Sequence, residues 1–435
     1  MISIIKRTES YKKISASHYY KLINGSFWSV LGAIIFRGSS LISAIFVARM
    51  IGKESFGQFG IIQSTVGTLA ILIGLGIGMT STKYIAEYRE NDIEKLSKIL
   101  SLLLIITYVG SLSVTILINI FKEFVSTNLL GSLNLSQHIF IASIIIFFNI
   151  INSVQTSTLS GFEAFKVITK INVITGAISF PTMLIFTYFY GLYGTLTAIA
   201  LISFLTWILN VYYVLKKFKF YGIHFALNQI TDAVNVLKTY TLPATLSGAL
   251  PTIWIANIIL VNSSESYNGM AYLNIANNWH TLVMFLPLSI GPVILSLLSN
   301  KNKNDKNGYW KIVKISLLIN TIITVAATIV VFFLSDVIVS FYGEGYKEAK
   351  YLLVLMTSVT ILKSINHVIG QVIATASSMW LGFGLNFIWG IAYLAITVLF
   401  VDKYGSLAIG IANIIAYIIL LIVSLKVLKK IKKSQ

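Results

Sequence analysis

The sequence predicts an all-α membrane protein with about twelve transmembrane helices, and three observations lead there. Apolar residues make up 56% of the chain and charged residues 11%, where ordinary globular domains have about 25% charged residues. Mean hydropathy is +0.83. Uncharged apolar runs recur along all 435 residues, each near the ~18–20 residues that span a bilayer core. Finally, lysine and arginine alternate loop by loop between two sides, as they do in a multi-pass protein.

The predicted runs are 26–50, 59–80, 99–121, 139–159, 167–190 and 193–215, then 239–261, 271–298, 312–334, 351–374, 380–401 and 406–425. The first is too long for the apolar core of a cleaved signal peptide and reads as a signal anchor. Gly176, Pro181, Pro243, Pro251, Pro287, Gly291 and Pro292 fall inside runs, where neighbouring helices can satisfy the freed backbone groups. Thr82–Lys98 alternates acids and bases and reads as a solvated or interfacial helix.

Twenty-five of the 33 lysines and arginines fall in the terminal segments and alternate loops on one side, and six fall on the other, with Arg37 and Lys363 left inside runs. The positive-inside rule makes the rich side cytoplasmic, with both termini there. The net charge of +18 is thereby a topology signal and an affinity for anionic membrane lipids, and nucleic acid is not an expected partner. Twelve runs divide six and six. The expected organisation is a cytoplasmic segment 1–25, an N-terminal lobe 26–215, a linker 216–238, a C-terminal lobe 239–425 and a basic tail 426–435.

The chain has no cysteine, which excludes disulfides and thiol chemistry. No phosphate-binding loop is present, and Gly74-Leu75-Gly76-Ile77-Gly78 lies in an apolar run where close helix packing explains it. His18, His138, His224, His280 and His367 are scattered without metal-ligand spacing. The lysine-poor loops are too short for the domain of a membrane polymerase. The expectation is a transporter, with no enzymatic activity and no cofactor or metal.

None of the fifteen acidic residues lies well inside a run, which disfavours an exporter coupled through a membrane carboxylate. Two cations do lie deep. Arg37 and Lys363 sit near the centres of their runs, where a charge costs about 2.5–3.5 kcal/mol on insertion scales and normally faces a wet cavity or a partner. No intramembrane acid is available, which favours an anionic ligand; snorkelling or hydrogen bonding to carbonyls at a helix break is the alternative. Arg49, at the end of its run, reads as an interfacial anchor.

Polar side chains at helical spacing extend the candidate site. Lys363, His367 and Gln371 follow Thr360 on the tenth run; Asn149 and Asn152 lie on the fourth. Asn274 and Asn278 lie on the eighth, with Asn277 and Thr281 in the same stripe and Trp279 and His280 adjacent. Amides and aromatic rings suit sugars, and the cations suit phosphate. Amides also stitch helices together in lipid, and for the fourth run that reading is equally good.

Several blocks resemble the O-antigen and polysaccharide flippases, of the superfamily that includes MATE-type multidrug exporters and peptidoglycan lipid flippases. The most specific is Ala48-Arg49-Met50-Ile51-Gly52-Lys53-Glu54-Ser55-Phe56-Gly57-Gln58-Phe59-Gly60. Gly74-Leu75-Gly76 … Thr80 … Lys83-Tyr84-Ile85-Ala86-Glu87 and Gly161-Phe162-Glu163-Ala164-Phe165 follow in order. Pro287 … Pro292 and Tyr342-Gly343-Glu344-Gly345-Tyr346 … Ala349 complete the set.

The resemblance implies a MATE-like fold, two six-helix lobes around a central cavity that opens alternately to either side. It implies an undecaprenyl-diphosphate-linked glycan as substrate, moved across a bacterial inner membrane for O-antigen, lipopolysaccharide or another surface polysaccharide, with polymerase or assembly proteins as possible partners. The peptidoglycan-lipid branch tends to have two helices beyond the twelve read here. A cation-coupled exporter of small molecules is the alternative reading of the same architecture.

Overall fold

The computed structural model describes residues 18–226, 231–237, 241–242, 245, 250–301, 306–375 and 379–434. Pro243, the linker residues 227–230 and 238, and residues 1–17 of the predicted N-terminal segment lie outside the described residues. Among the described residues the chain is helical throughout, with short turns and no strand.

Ten long or apolar helices follow in order. They are α1 (His18–Tyr88), α2 (Ile93–Ile120), α3 (Ser136–Gly161), α4 (Phe165–Tyr221) and α5 (Thr252–Val261). Then come α6 (Ser266–Lys301), α7 (Lys306–Ser340), α8 (Ala349–Thr375), α9 (Met379–Tyr404) and α10 (Ser406–Ser434). Eight helices are long and apolar enough to cross a bilayer among the described residues. In α1 and α4 the hydrogen-bonded ladder is interrupted once, at Gly52 (φ 77°) and Gly191 (φ 56°). Each therefore crosses twice, as limbs 18–51 and 53–88 and limbs 165–190 and 192–221. Positive φ is cheap only for glycine, so a single residue does the work of a loop. With α6 and the Pro251-capped α5, the described crossings follow the order of the apolar runs, the seventh of which lies partly outside the described residues.

Thr82–Lys98 is not a separate interfacial helix. α1 ends at Tyr88 and α2 begins after Asp92, whose carboxylate accepts from the Lys95 amide and caps the helix. The alternating charges are the ends of two membrane helices and the turn between them. Arg89 ties that turn to the end of α3, donating to the Gly161 carbonyl (3.0 Å) and to Glu163 (2.6 Å). At the other terminus α10 continues helically through the basic tail to Ser434, and Lys432 lies over the Trp310 ring.

Packing is uneven along the bundle axis. At the lysine-poor end one continuous apolar core includes Val47, Phe56 and Phe59 of α1 with Tyr267, Met270 and Ala271 of α6, and Tyr342, Tyr346 and Leu353 beyond. At the lysine-rich end the cores are separate. One joins Ile85, Leu96 and Val214 in the N-terminal half, while Ile294, Tyr309 and Val372, and Ile373 with Leu420, form others in the C-terminal half.

Polar contacts follow the same gradient. Arg49 donates to the carbonyls of Phe341 (2.6 Å) and Ser340 (3.0 Å) at the end of α7. Those belong to the last carbonyls of a helix, which have no partner within it. Arg49 thus caps a helix of the opposite half, a closer role than interfacial anchoring. Tyr346 donates to the Ala48 carbonyl, and Tyr267 to the Leu130 carbonyl. Tyr272 accepts from Lys53 and donates to Glu348. A β-carbon at Gly57 would sit 1.8 Å from the Tyr267 carbonyl oxygen, so only glycine permits this approach.

Candidate functional site

Arg37 and Lys363 meet the same stretch of α6 from opposite sides. On the first limb of α1, Arg37 lies on the helical face that also holds Ser40, Ala44 and Ala48. It is half-buried, with Nη1 3.4 Å from the Thr281 carbonyl and its guanidinium carbon 5.2 Å over the Phe285 ring. A helical carbonyl has a second lone pair free for such a donor. The guanidinium is thus directed at the other half of the molecule.

Lys363, on α8, is also half-buried. Its Nζ lies 3.1 Å from His280 Nε2, and His280 Nδ1 lies 2.9 Å from the Met356 carbonyl. A carbonyl only accepts, so Nδ1 holds the ring proton. The neutral ring then offers Nε2 as acceptor to the ammonium. His280 and Thr281 are adjacent residues, so one turn of α6 holds both contacts.

No carboxylate pairs with Arg37 or Lys363 among the described residues. Both cations nevertheless have neutral hydrogen-bond partners, so hydrogen bonding within the protein accompanies the open charge at each. The sequence places His280 beside the amide stripe of α6 without counting it in the candidate site. It stands one position off the amide stripe of α6, and the usable signal was that a buried ammonium needs an acceptor.

One turn further along α8, Gln371 Nε2 lies 3.4 Å from His367 Nε2, and His367 Nδ1 is buried without a partner. Gly291 of α6 makes the room, since a β-carbon there would sit 2.5 Å from the His367 ring. Asn274 is buried against Gly60 of α1 with its amide nitrogen unpartnered. Asn278 is half-buried one turn later, beside Tyr342.

The amides of α3 are engaged elsewhere. Asn152 donates to the Ser203 carbonyl (2.9 Å) and accepts from Asn210 (3.1 Å), while Asn149 accepts from the Ser203 hydroxyl (3.1 Å). This network joins α3 to α4 inside the N-terminal half. Asn149 also lines a cleft of about 220 Å³ with Gln63 and Gly67. No group of three or more histidine or acidic residues that could hold a metal occurs among the described residues.

The family model described as "Polysaccharide biosynthesis protein" matches residues 22–295, more than half of the chain. The chain belongs to the polysaccharide biosynthesis protein family. Within the curated relatives, it is similar to the EPS I polysaccharide export inner membrane protein EpsE of Ralstonia solanacearum, 21% identical over 195 residues. That match spans 44% of this chain and 45% of EpsE, so it spans less than half of that relative's length.

Solved structures show the fold this family member adopts. An inward-facing MATE family multidrug resistance transporter of the MOP superfamily superposes with a TM-score of 0.79 at 17% identity, covering 92% of this chain and 96% of that one. The lipid II flippase MurJ in an inward closed conformation gives 0.75 at 20% identity, covering 92% and 87%. The protein is a multi-pass membrane protein of the MATE-like, two-lobed helical fold.

Proposed function

We propose that this protein flips an undecaprenyl-diphosphate-linked oligosaccharide, a repeat unit of O-antigen or another surface polysaccharide, from the cytoplasmic to the outer leaflet of the bacterial inner membrane. The observation supporting this reading is the convergence of Arg37 and Lys363 on one turn of α6 with no carboxylate paired with either among the described residues. Two such charges suit a diphosphate. His367, with its unpartnered Nδ1, Gln371 and the amides of Asn274 and Asn278 suit the sugars that follow. Asn149 and Asn152 contribute chiefly by holding α3 against α4, with Asn149 reaching the cleft beside Gln63.

A polar head this large cannot pass bare through hydrocarbon. Alternating rocking of lobes 26–215 and 239–425 would shield it while the lipid tail stays in the bilayer. In the proposed orientation the lysine-rich end and both termini are cytoplasmic. The continuous core at the opposite end supports an inward-facing resting state, ready to load from the cytoplasmic leaflet.

The test is complementation of a strain that needs this protein for its surface polysaccharide. R37A and K363A, each shown to be folded and membrane-inserted, are expected to lose most polysaccharide output. Full output from both would overturn the site. Drug resistance on overexpression, with no effect on polysaccharide, would favour the small-molecule exporter.

A further inference from the structure

We propose that His280 couples proton uptake to loading of the anionic head: when a diphosphate draws the Lys363 ammonium away, the freed His280 Nε2 takes a proton from water. This deepens the flippase reading and rests on it. The geometry leaves little alternative use for that nitrogen. His280 Nδ1 is committed to the Met356 carbonyl, so the ring cannot turn its proton toward Nε2 without abandoning a buried acceptor. Across 3.1 Å the two basic groups share one positive charge, since two cations at that distance repel and the ring stays neutral.

A polyanionic head reverses the balance. A phosphate oxygen is a stronger acceptor for the ammonium than an imidazole nitrogen, and its negative charge favours the imidazolium. The step breaks one hydrogen bond and forms one N–H bond at Nε2, with the proton supplied by water on the loading side. It leaves again when the head departs and Lys363 returns.

The groups around the pair do not compete for this role. Arg37, on α1, stays charged at all working pH. On α8, His367 is four residues from Lys363 and turns Nε2 toward Gln371. From α9 and α10 come the rings of Tyr393 and Tyr417, which flank Trp389. α7 faces α8 with Thr324, whose hydroxyl lies 3.2 Å from that of Ser364. No carboxylate pairs with any of them among the described residues.

The experiment uses the full-length protein in weakly buffered detergent, with farnesyl diphosphate as probe and farnesol as uncharged control. A pH-indicator dye follows proton exchange while affinity is measured across neutral pH. Binding is expected to take up about one more proton in the wild type than in H280Q, and wild-type affinity to fall about tenfold per pH unit over the range where that proton is lost. H280Q can still accept from Lys363 and donate to Met356 but cannot protonate, so its affinity is expected to be flat in this respect. H367Q is expected to keep the extra proton.

Equal proton uptake by wild type and H280Q overturns the coupling, as does loss of the extra proton in H367Q alone. If H280Q does not fold, a pH-independent wild-type affinity with no net uptake overturns it equally. Failure of the wild type to bind farnesyl diphosphate removes the diphosphate reading itself, whereas binding without uptake removes only the coupling.

Discussion

Replacing Arg49 with alanine should loosen the lysine-poor end of the molecule. Its guanidinium makes two hydrogen bonds to the terminal carbonyls of α7, at 2.6 and 3.0 Å. Charge-assisted hydrogen bonds contribute about 1.5–3 kcal/mol each when buried, and a cation at a helix C-terminus adds about 0.3–1 kcal/mol. Arg49 is exposed, so solvent screening reduces the sum; about 2 kcal/mol is a reasonable total. All of it belongs to the closed state, because the donor is in one half and the acceptors are in the other. The ratio of open to closed molecules should therefore rise about 30-fold.

The chain contains no cysteine, which makes the assay direct. Ser40→Cys places a single thiol on the helical face that holds Arg37, below the Arg49 contact. Its labelling by a membrane-impermeant maleimide added from outside reports opening. R49A in that background should label about 30-fold faster than its parent while closed molecules still dominate. R49K, which keeps one donor group, should fall between. Identical rates in R49A and its parent would refute the idea that this cap holds the two halves together.

Three further outcomes follow from other contacts. Gly57→Ala would put a methyl group 1.8 Å from the Tyr267 carbonyl oxygen; overpacking of this kind costs about 1–3 kcal/mol, so S40C labelling should rise and polysaccharide output fall. Asn152→Ala removes its bonds to Ser203 and Asn210 and should destabilise the protein by about 1–2 kcal/mol in detergent unfolding, with farnesyl diphosphate affinity unchanged. Burial pushes the Tyr342 phenol up to about 12, above its usual value near 10. Its stabilising contribution is therefore complete below pH ~10 and disappears as pH rises to ~12, and Y342F should reduce the loss of thermal stability over that interval.

The order of membrane crossings was legible in the sequence because a bilayer imposes run lengths that soluble cores do not. The break between the fifth and sixth runs, 167–190 and 193–215, falls at Gly191, where the chain reverses through one residue of positive φ. The first reversal was less clear. Residues 51–58 fall between the first two runs as a connection, yet the chain is helical on both sides of Gly52, since glycine alone supplies the turn and the following residues pack against α6.

The two deep cations were legible because charge inside an apolar run is costly. Their meeting place was not. Nothing in the spacing of Arg37 and Lys363, on helices far apart in sequence, indicates that one reaches Thr281 and the other its neighbour His280. The amides were ambiguous for a related reason: Asn152 and Asn274 look alike in a helical stripe, but one is bonded across to α4 and the other has an idle nitrogen against Gly60.

In the proposed flippase the positive charges of the site would be divided between moving parts. Arg37 rides on the N-terminal half, while Lys363 and its histidine ride on the C-terminal half. In that reading any rotation that parts the halves would pull this electrostatic clamp open, weakening its hold on a bound anion just as the path outward appears. Discharge would then need no separate trigger, because a ligand favours whichever arrangement grips it more tightly and is shed from the other.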